Sequence, residues 1–332
     1  MNVSLEATLR ERLARLIGDE FRACETEISR ELGTSPVPLI RELSEYVARA
    51  GGKRLRPILL LLCARLAGGP SGRAARLGCV VELLHTATLI HDDVVDRAPL
   101  RRGRASANAR WGDDASVLVG DHLYSRCMAL LVADGDLRVM ETLASAMVSM
   151  TEAEVFQLER KRDGHLAEAD YVRIIRQKTA TFISACCRIG GLTGALPHEA
   201  VDALAAYGER LGIAFQIIDD SLDFDADQAR LGKAIGADLR EGKRTLPLIA
   251  TLERAAPGER ARIVAALTGP GPDERDVAEV HRLVKVYDGV GYAMACAATY
   301  VAEAMGQLQQ FPLAEEREAL GLIADYVIRR DR

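Results

Sequence analysis

Two aspartate clusters with the same internal spacing each close an apolar helical segment. They hold Asp92, Asp93 and Asp96 in the first cluster and Asp219, Asp220 and Asp223 in the second. Residues four positions apart share one face of a helix, so Asp92 and Asp96 lie one turn from each other while Asp93 points elsewhere. Carboxylates one turn apart repel, and charges at the end of a buried helix are costly unless cations balance them. Carboxylate oxygens suit Mg²⁺, which usually bridges to substrate phosphates. The two clusters therefore predict a magnesium-dependent site for a phosphorylated substrate.

Two other interpretations of these acidic residues are weaker. A single cluster could be a solvated helix end, but two clusters of equal spacing behind buried segments are hard to explain in that way. Glu82 and His85 form an E-x-x-H pair of the kind found in di-iron helical bundles. Such a site requires a second E-x-x-H pair, and the sequence has none.

Basic residues accompany both acidic clusters along the chain. The segment GGKRLRP places Lys53, Arg54 and Arg56 between two glycines and a proline. Glycines let the backbone approach a ligand closely, and guanidinium and ammonium groups suit a diphosphate. The remaining basic candidates flank the two clusters or lie between them: Arg101, Arg102, Lys178, Lys233 and Lys243. This distribution predicts that metal ions and cationic side chains jointly hold two diphosphates.

The composition favours a helical protein without nucleic acid as its main partner. The chain has 332 residues, of which 48% are hydrophobic and 5% aromatic, and a net charge of -5. Nucleic-acid-binding proteins are typically basic. The seven cysteines form no C-x-x-C pair, and no apolar run suits a signal peptide or a membrane span. We expect a cytoplasmic protein in a reducing compartment.

Helical periodicity dominates the sequence and no β-α-β alternation is evident. We predict one all-α domain over residues 1–332, with roughly a dozen helices. Pro99 and Gly103 are expected to break the chain after the first acidic cluster. The predicted helices include residues 115–133, 138–161, 169–190, 199–223 and 247–254.

Taken together, these motifs resemble those of the trans-type polyprenyl diphosphate synthases, among which the octaprenyl diphosphate synthases of bacteria look most similar. The resemblance covers nearly the whole chain, through GGKRLRP, ELLHTATLIHDDVVD, RRG, KTA, FQIIDD, GK and the terminal RRDR. It implies a homodimer of helical bundles, each around a central cavity. The implied reaction adds isopentenyl diphosphate units to an allylic diphosphate such as farnesyl diphosphate, giving a product for a quinone side chain.

The resemblance also implies roles for individual residues. Mg²⁺, with three ions per site, would be held by Asp92, Asp96, Asp219 and Asp223. Isopentenyl diphosphate would be bound by Lys53, Arg56, His85 and Arg102. The allylic diphosphate would be bound by Arg101, Lys178, Thr179, Gln216 and Lys233. Lys243 is less well matched, because Arg244 stands where the family usually has proline.

Small residues before the first acidic cluster predict a long product. Ala87 and Thr88 lie one helical turn before Asp92, at positions where the family uses a bulky aromatic to stop short products. The floor of the tunnel is then expected on the segment ASAMVSMTEAEVFQL, at Met147 or Met150. The octaprenyl length follows from the resemblance and from these small residues.

Three alternatives remain open at this point. A short-chain synthase would make farnesyl or geranylgeranyl diphosphate, against which Ala87 and Thr88 argue. A class I terpene cyclase would carry a different second motif and would not need the isopentenyl-binding set. A non-catalytic subunit of a two-protein synthase would have lost its aspartate motifs, and both are present.

Overall fold

The protein is almost entirely helical wherever the computed structural model describes it, over residues 2–49, 51–163, 167–224, 236–268 and 272–329. The predicted all-α class is therefore confirmed. The first ten helices are α1 (Asn2–Gly33), α2 (Pro38–Ala48), α3 (Leu55–Leu66), α4 (Ser71–Val95), α5 (Ala107–Trp111), α6 (Asp113–Asp134), α7 (Leu137–Asp163), α8 (Glu168–Ile175), α9 (Thr181–Leu192) and α10 (His198–Leu222). They are followed by α11 (Ala237–Arg240), α12 (Leu246–Arg254), α13 (Pro257–Thr268), α14 (Glu274–Val286), α15 (Gly289–Leu308) and α16 (Glu315–Arg329).

Two local features differ from the sequence-based prediction. The helix expected over residues 169–190 is interrupted by a π-helical turn, Arg176–Ala180, between α8 and α9. The break expected after Pro99 contains a short antiparallel hairpin of β1 (Leu100–Arg101) and β2 (Arg104–Ala105). Arg102 and Gly103 form its turn with positive φ angles of 51° and 73°. Each feature is only a few residues long, so the pattern of hydrophobic residues in the sequence does not reveal it.

Helices α4 and α10 form the centre of the molecule. Helix α4 is buried on nearly every side, from Ala74 to Ile90, as expected for a helix that is apolar all round. Helix α10 packs against α9 and α15. Glycines allow its close approach to α9 and the π-helical turn: a Cβ on Gly208 would lie 2.8 Å from Cys187 Sγ, and one on Gly212 would lie 2.5 Å from Ala180 Cα. Both acidic clusters thus lie at the ends of rigid, buried helices.

A smaller apolar cluster joins α11 to α15 beside the main core. Its buried members include Leu239, Leu248, Ile263 and Leu283. Helix α14 begins with a capping box in which Asp273 accepts from the backbone N–H of Asp276, whose side chain returns to the N-cap N–H. A single domain over residues 1–332 stays a prediction. Among the described helices, none has the length and apolar character needed to span a bilayer.

Candidate active site

The first acidic cluster lies at the carboxyl end of α4. Asp92 is half-buried in the last turn, and Asp96 is exposed at the C-cap position. Asp93 points away from them, as predicted: its side chain is 3% exposed and accepts a hydrogen bond from Arg101 Nε at 2.5 Å. A helix carboxyl end is already negative because of the peptide dipoles. Two further carboxylates there create a strongly negative region that favours cations.

The second acidic cluster lies at the carboxyl end of α10, so it also adds negative charge to the negative end of a helix dipole. Asp219 is exposed, whereas both carboxylate oxygens of Asp220 are hydrogen-bonded within the protein. Tyr171 Oη donates to one oxygen at 2.6 Å and Gln216 Nε2 to the other at 2.9 Å. Asp223 accepts from the backbone N–H of Asp238 at 3.2 Å. Asp220 is therefore fixed inside the cluster by two hydrogen bonds, whereas Asp219 is exposed to solvent.

Burial raises the pKa of carboxyl groups in both clusters, those of Asp92 and Asp93 in the first and that of Asp220 in the second. The pKa of Asp92 is raised to about 6 by burial, with Lys178 opposing the rise and Glu154 adding to it. The pKa of Asp220 is raised to about 7 by burial and by the neighbouring carboxylate of Asp238. Both shifts reflect negative charge concentrated in a poorly solvated place. The nearby cationic side chains do not fully balance these carboxylates. A cation that enters this region would therefore be attracted to them.

The π-helical turn Arg176–Ala180 carries side chains that act on both clusters. Lys178 Nζ pairs with Glu154 Oε1 on α7 at 2.5 Å, and its charge partly offsets the rise that burial causes in the pKa of Asp92. The next residue, Thr179, donates its hydroxyl to Gln216 Oε1 on α10 at 2.9 Å. Single π-helical turns occur frequently at functional sites. Here the turn brings two predicted allylic ligands, Lys178 and Thr179, beside a third, Gln216.

The predicted isopentenyl-binding residues are grouped around the loop before α3. Arg56 Nη1 lies 3.1 Å from His85 Nε2, and its guanidinium lies over the Phe182 ring at 5.2 Å. Burial, followed by the charge of Arg56, lowers the pKa of His85 well below its usual value, so the imidazole is neutral. The buried Nε of Arg56 has no hydrogen-bond partner among the described residues. A guanidinium with an unused donor suits an anionic ligand.

Lys53 belongs to the loop before α3, and Arg102 packs against the backbone of that loop. Lys53 Nζ donates to Tyr326 Oη on α16 at 3.2 Å. The Arg102 guanidinium lies over Gly52, where an added Cβ would be 3.1 Å from Nη1. The structure thus brings Lys53, Arg56, His85 and Arg102 into one neighbourhood.

Arg54 of the same loop has a structural position. It adopts a positive φ of 49° just before α3 and pairs with Glu82 at 2.6 Å and Glu25 at 3.0 Å. Since Glu82 binds Arg54 and His85 contacts Arg56, the E-x-x-H pair on α4 is already occupied by cationic partners. This arrangement gives the di-iron interpretation no support.

The residues expected to set product length lie on the core side of α4 and α7. Ala87 is buried, and Thr88 is half-buried with its hydroxyl donating to the backbone oxygen of His85 at 2.8 Å. Met147 and Met150 are partly buried and pack against the main core. Their proposed role as a tunnel floor stays a prediction.

The remaining basic candidates lie after the second cluster. Lys233 lies outside the described residues. Lys243 pairs with Asp238 at 3.2 Å and with Glu241 at 2.6 Å, and these carboxylates raise its pKa against the effect of burial. Arg244, which stands in place of the family's proline, is half-buried, and its pKa is lowered by burial.

Several residues at the site were not predicted from the sequence. Glu154, Tyr171 and Asp238 contact predicted site residues, yet none belongs to a recognisable charge pattern. Tyr171 carried one usable signal, because it precedes Lys178 by seven residues, or two helical turns. Glu154 gave none, since its partner Lys178 is distant in sequence. Asp238 gave none either, since Asp223 is distant and Lys243 lies five residues away, which is not the spacing of neighbours on a helix face.

The acidic residues fit a hard divalent cation in their chemistry. Asp92, Asp96 and Asp219 offer carboxylate oxygens at two negative helix ends, and oxygen ligands are those that Mg²⁺ prefers. Across the described ranges, no three His, Cys, Asp or Glu side chains converge closely enough to hold a metal ion by themselves. Mg²⁺ usually keeps several waters and binds through one or two carboxylates together with substrate phosphates, and the carboxylates of Asp92, Asp96 and Asp219 suit that mode of binding.

Comparisons with known proteins agree with the resemblance in the motifs. The polyprenyl synthetase family profile matches residues 37–286. Octaprenyl diphosphate synthase of Escherichia coli (strain K12) is 36% identical, over 97% of this chain and 99% of its own length. A short chain isoprenyl diphosphate synthase of Methanothermobacter thermautotrophicus is 37% identical, over 90% of this chain and 92% of its own length. Overall identity therefore does not fix the product length.

Solved structures agree with the fold. The crystal structure of polyprenyl synthase from Caulobacter crescentus CB15, complexed with calcium and isoprenyl diphosphate, superimposes with a TM-score of 0.91 and 38% identity. The match covers 96% of this chain and 97% of that one. The predicted helical architecture and the resemblance are both confirmed.

Proposed function

Because this chain belongs to the polyprenyl synthetase family, whose members are prenyltransferases, we propose that it adds isopentenyl diphosphate units to farnesyl diphosphate. The product that we propose is all-trans octaprenyl diphosphate, which would serve as a quinone side chain. One observation carries the proposal: the π-helical turn is linked to both acidic clusters, through the charge of Lys178 on Asp92 and through the hydrogen bonds from Thr179 to Gln216 and from Gln216 to Asp220. This geometry suits an anion held by metal ions on two sides and by cations between them.

Asp92 and Asp96 from α4, and Asp219 with Asp223 from α10, would hold Mg²⁺, and we propose three ions per site. When bound, Mg²⁺ neutralises the charge that develops on a departing diphosphate. Asp220 has a different role in this proposal. Its two oxygens are already hydrogen-bonded by Tyr171 and Gln216, so it fixes the end of α10 and the Gln216 amide.

Lys178 changes partner when the allylic diphosphate binds. In the structure its ammonium is neutralised by Glu154, and a diphosphate with its metal ions offers a stronger negative partner. Thr179 and Gln216 then hold the phosphate oxygens from the α10 side. Lys53, Arg56 and Arg102 hold isopentenyl diphosphate, and neutral His85 orients Arg56 through the contact at 3.1 Å.

The chemistry proceeds by breakage of the allylic C–O bond, and both bonding electrons leave with the diphosphate. The double bond of isopentenyl diphosphate attacks the allylic cation and forms the new C–C bond. A proton is then lost from the adjacent carbon, and the departed diphosphate is the base that we propose. Cationic side chains aimed at the leaving group would stabilise the developing charge in a poorly hydrated place.

The proposed length rests on small residues one turn before Asp92. Ala87 and Thr88 leave room along α4, where a larger side chain would stop growth early. Met147 and Met150 on α7 would then form the floor. Replacing each by alanine should lengthen the product in at least one variant, read by chromatography after removal of the diphosphate. If neither substitution lengthens the product, the floor lies elsewhere.

We also propose that the protein is a homodimer formed through α6 and α7. These two helices carry many large exposed apolar side chains, among them Leu118, Val132, Leu137 and Val148 at 67%, 68%, 75% and 59% exposure. Exposed apolar surface of this kind marks an interaction site. We place the reaction in the cytoplasm, since all seven cysteines are free thiols, as is typical of a reducing compartment.

The experiment that tests the function is a product assay on the purified chain with farnesyl diphosphate, isopentenyl diphosphate and Mg²⁺. A product close to forty carbons would support both the reaction and the length. Products that stop at fifteen or twenty carbons would keep the reaction and favour the short-chain alternative. No condensation by the single chain would refute the proposal and favour a non-catalytic subunit.

A further inference from the structure

The β1–β2 hairpin that carries Arg101 and Arg102 is too small to be stable alone. Each strand has two residues, and even longer isolated hairpins are marginal in water. Ser106 closes its base, because its hydroxyl donates to the backbone oxygen of Ala98 and its N–H donates to that of Pro99. These bonds hold the two ends together but do not fix where the hairpin lies relative to the rest of the protein.

Tyr46 on α2 supplies that tertiary support. Its hydroxyl donates to the backbone oxygen of Ala105 on β2 at 2.8 Å. Its ring lies beneath the Arg104 guanidinium at 4.3 Å and meets the Trp111 ring edge-to-face at 5.0 Å. Arg110 lies over both rings, at 4.8 Å from Tyr46 and 4.4 Å from Trp111. One side chain of α2 therefore contacts β2 and the helix that follows the hairpin.

Helix α2 also leads directly into the basic loop. The described chain resumes at Gly51, which has a positive φ of 79°, and Gly52 faces the Arg102 guanidinium. Tyr46 thus joins the hairpin, which carries one group of cations, to the helix that precedes the loop with Lys53. Neither group is fixed by sequence-local contacts alone.

Arg101 and Arg102, two of the three hairpin arginines, differ in how strongly they are held. Arg101 is bound to the buried Asp93 at 2.5 Å, so α4 holds it independently of α2. Arg102 is exposed, sits at the turn with a φ of 51°, and lies over the backbone of Gly52. A shift of the hairpin would therefore move Arg102 more than Arg101.

We propose that Tyr46 is a positioning residue for isopentenyl diphosphate, acting through the hairpin on Arg102. This inference rests on the proposed function, in which Arg102 binds isopentenyl diphosphate and Arg101 binds the allylic substrate. It requires a selective effect: loss of the Tyr46 contacts weakens the use of isopentenyl diphosphate and leaves the allylic substrate unaffected.

The test compares Tyr46→Phe, which removes only the hydroxyl, with Tyr46→Leu, which also removes the ring contacts. Tyr287→Phe is the matched control, because it removes a hydroxyl that bonds Glu259 and the Ala256 N–H in the smaller cluster. Two readouts are measured on the full chain. One is the set of KM values for the two substrates with kcat, and the other is the rate of limited tryptic cleavage within residues 101–104.

We expect Tyr46→Phe to raise the KM for isopentenyl diphosphate roughly 3- to 10-fold, as loss of one hydrogen bond implies. Tyr46→Leu should raise it further, and both should speed cleavage of the hairpin, because local opening exposes it. The KM for the allylic substrate and kcat should stay unchanged, and Tyr287→Phe should change nothing in either readout.

Two outcomes overturn the inference alone, provided that the wild-type chain forms product. The first is an unchanged KM for isopentenyl diphosphate with unchanged cleavage of the hairpin. The second is an equal loss for both substrates, which a merely structural role would give. A wild-type chain that forms no product at all overturns the proposed function, and with it this substrate-binding role of Tyr46.

Discussion

Replacing Gly212 by alanine is expected to displace the π-helical turn that carries Lys178 and Thr179. A Cβ at this position would lie 2.5 Å from Ala180 Cα and 2.8 Å from Ala180 Cβ. Both atoms belong to the end of the turn, so no flexible side chain can move aside. Either α10 or the turn must shift, and the turn holds the predicted ligands of the allylic diphosphate.

The size of the effect can be worked out with Gly18→Ala as a matched control. Gly18 lies in the middle of α1, and an added Cβ there would make only ordinary contact, 3.5 Å from Arg22 Nη1. Alanine in place of glycine stabilises a helix interior by roughly 0.5–1 kcal/mol. Both substitutions share that gain, whereas overpacking costs about 1–3 kcal/mol and applies to Gly212 alone. The two variants should therefore differ by about 1–3 kcal/mol in free energy of unfolding.

Urea unfolding followed by far-UV circular dichroism measures the stability difference, at one protein concentration because association shifts the midpoint. Initial condensation rates measure the consequence for the site. A displacement of the order of 1 Å can lower turnover by about 100-fold, and we expect a loss of that order for Gly212→Ala alone. If Gly212→Ala unfolds at the same urea concentration as Gly18→Ala and keeps its rate, the close packing of α10 on the turn does not constrain the site.

Three further predictions concern charge at the site. Burial and the nearby arginines lower the pKa of His85, so the unfolded chain takes up its proton first, below about pH 6.5. The free energy of unfolding of wild type, relative to that of His85→Gln, should then fall by up to about 1.4 kcal/mol per pH unit as the pH drops below that value. A difference between the two proteins that does not change with pH would contradict a neutral buried imidazole. Asp93→Asn should cost about 1.5–3 kcal/mol of stability, because Arg101 loses a charged partner. Asp92→Asn should abolish turnover and leave the free energy of unfolding unchanged or raised. Equal losses of stability in the two variants would refute a structural role for Asp93 and a catalytic role for Asp92. Removal of divalent cations by a chelator should stop condensation, and Mg²⁺ should restore it without any change in helical circular dichroism; activity that survives chelation would contradict the roles given to the aspartates.

The helical class and the positions of the main helices could be predicted because both depend on local periodicity. Helix α6 was expected over residues 115–133 and spans Asp113–Asp134, and α7 was expected over 138–161 and spans Leu137–Asp163. The π-helical turn could not be predicted in this way. Its residues continue a helical pattern, and only the close approach of α10 at Gly212 distinguishes them.

The candidate site was predicted in part for the same reason. The spacing of Asp92 and Asp96 places them on one face of α4 and sends Asp93 to another, whatever surrounds the helix. The sequence did not indicate that Asp93 would bind Arg101, or that Asp220 would be held by Tyr171. Those contacts depend on how separate helices pack.

The sequence by itself determined which residues of this protein carry its chemistry: two acidic clusters, each at the end of an apolar helix, with basic residues near them. Spacing along a helix is a local property, and it requires no tertiary contact. The tertiary structure alone decided which side chains meet. It pairs Lys178 with Glu154, and it places the Tyr46 hydroxyl against the backbone of the hairpin. These partners lie many residues apart, so only the packing of helices brings them within reach of a hydrogen bond.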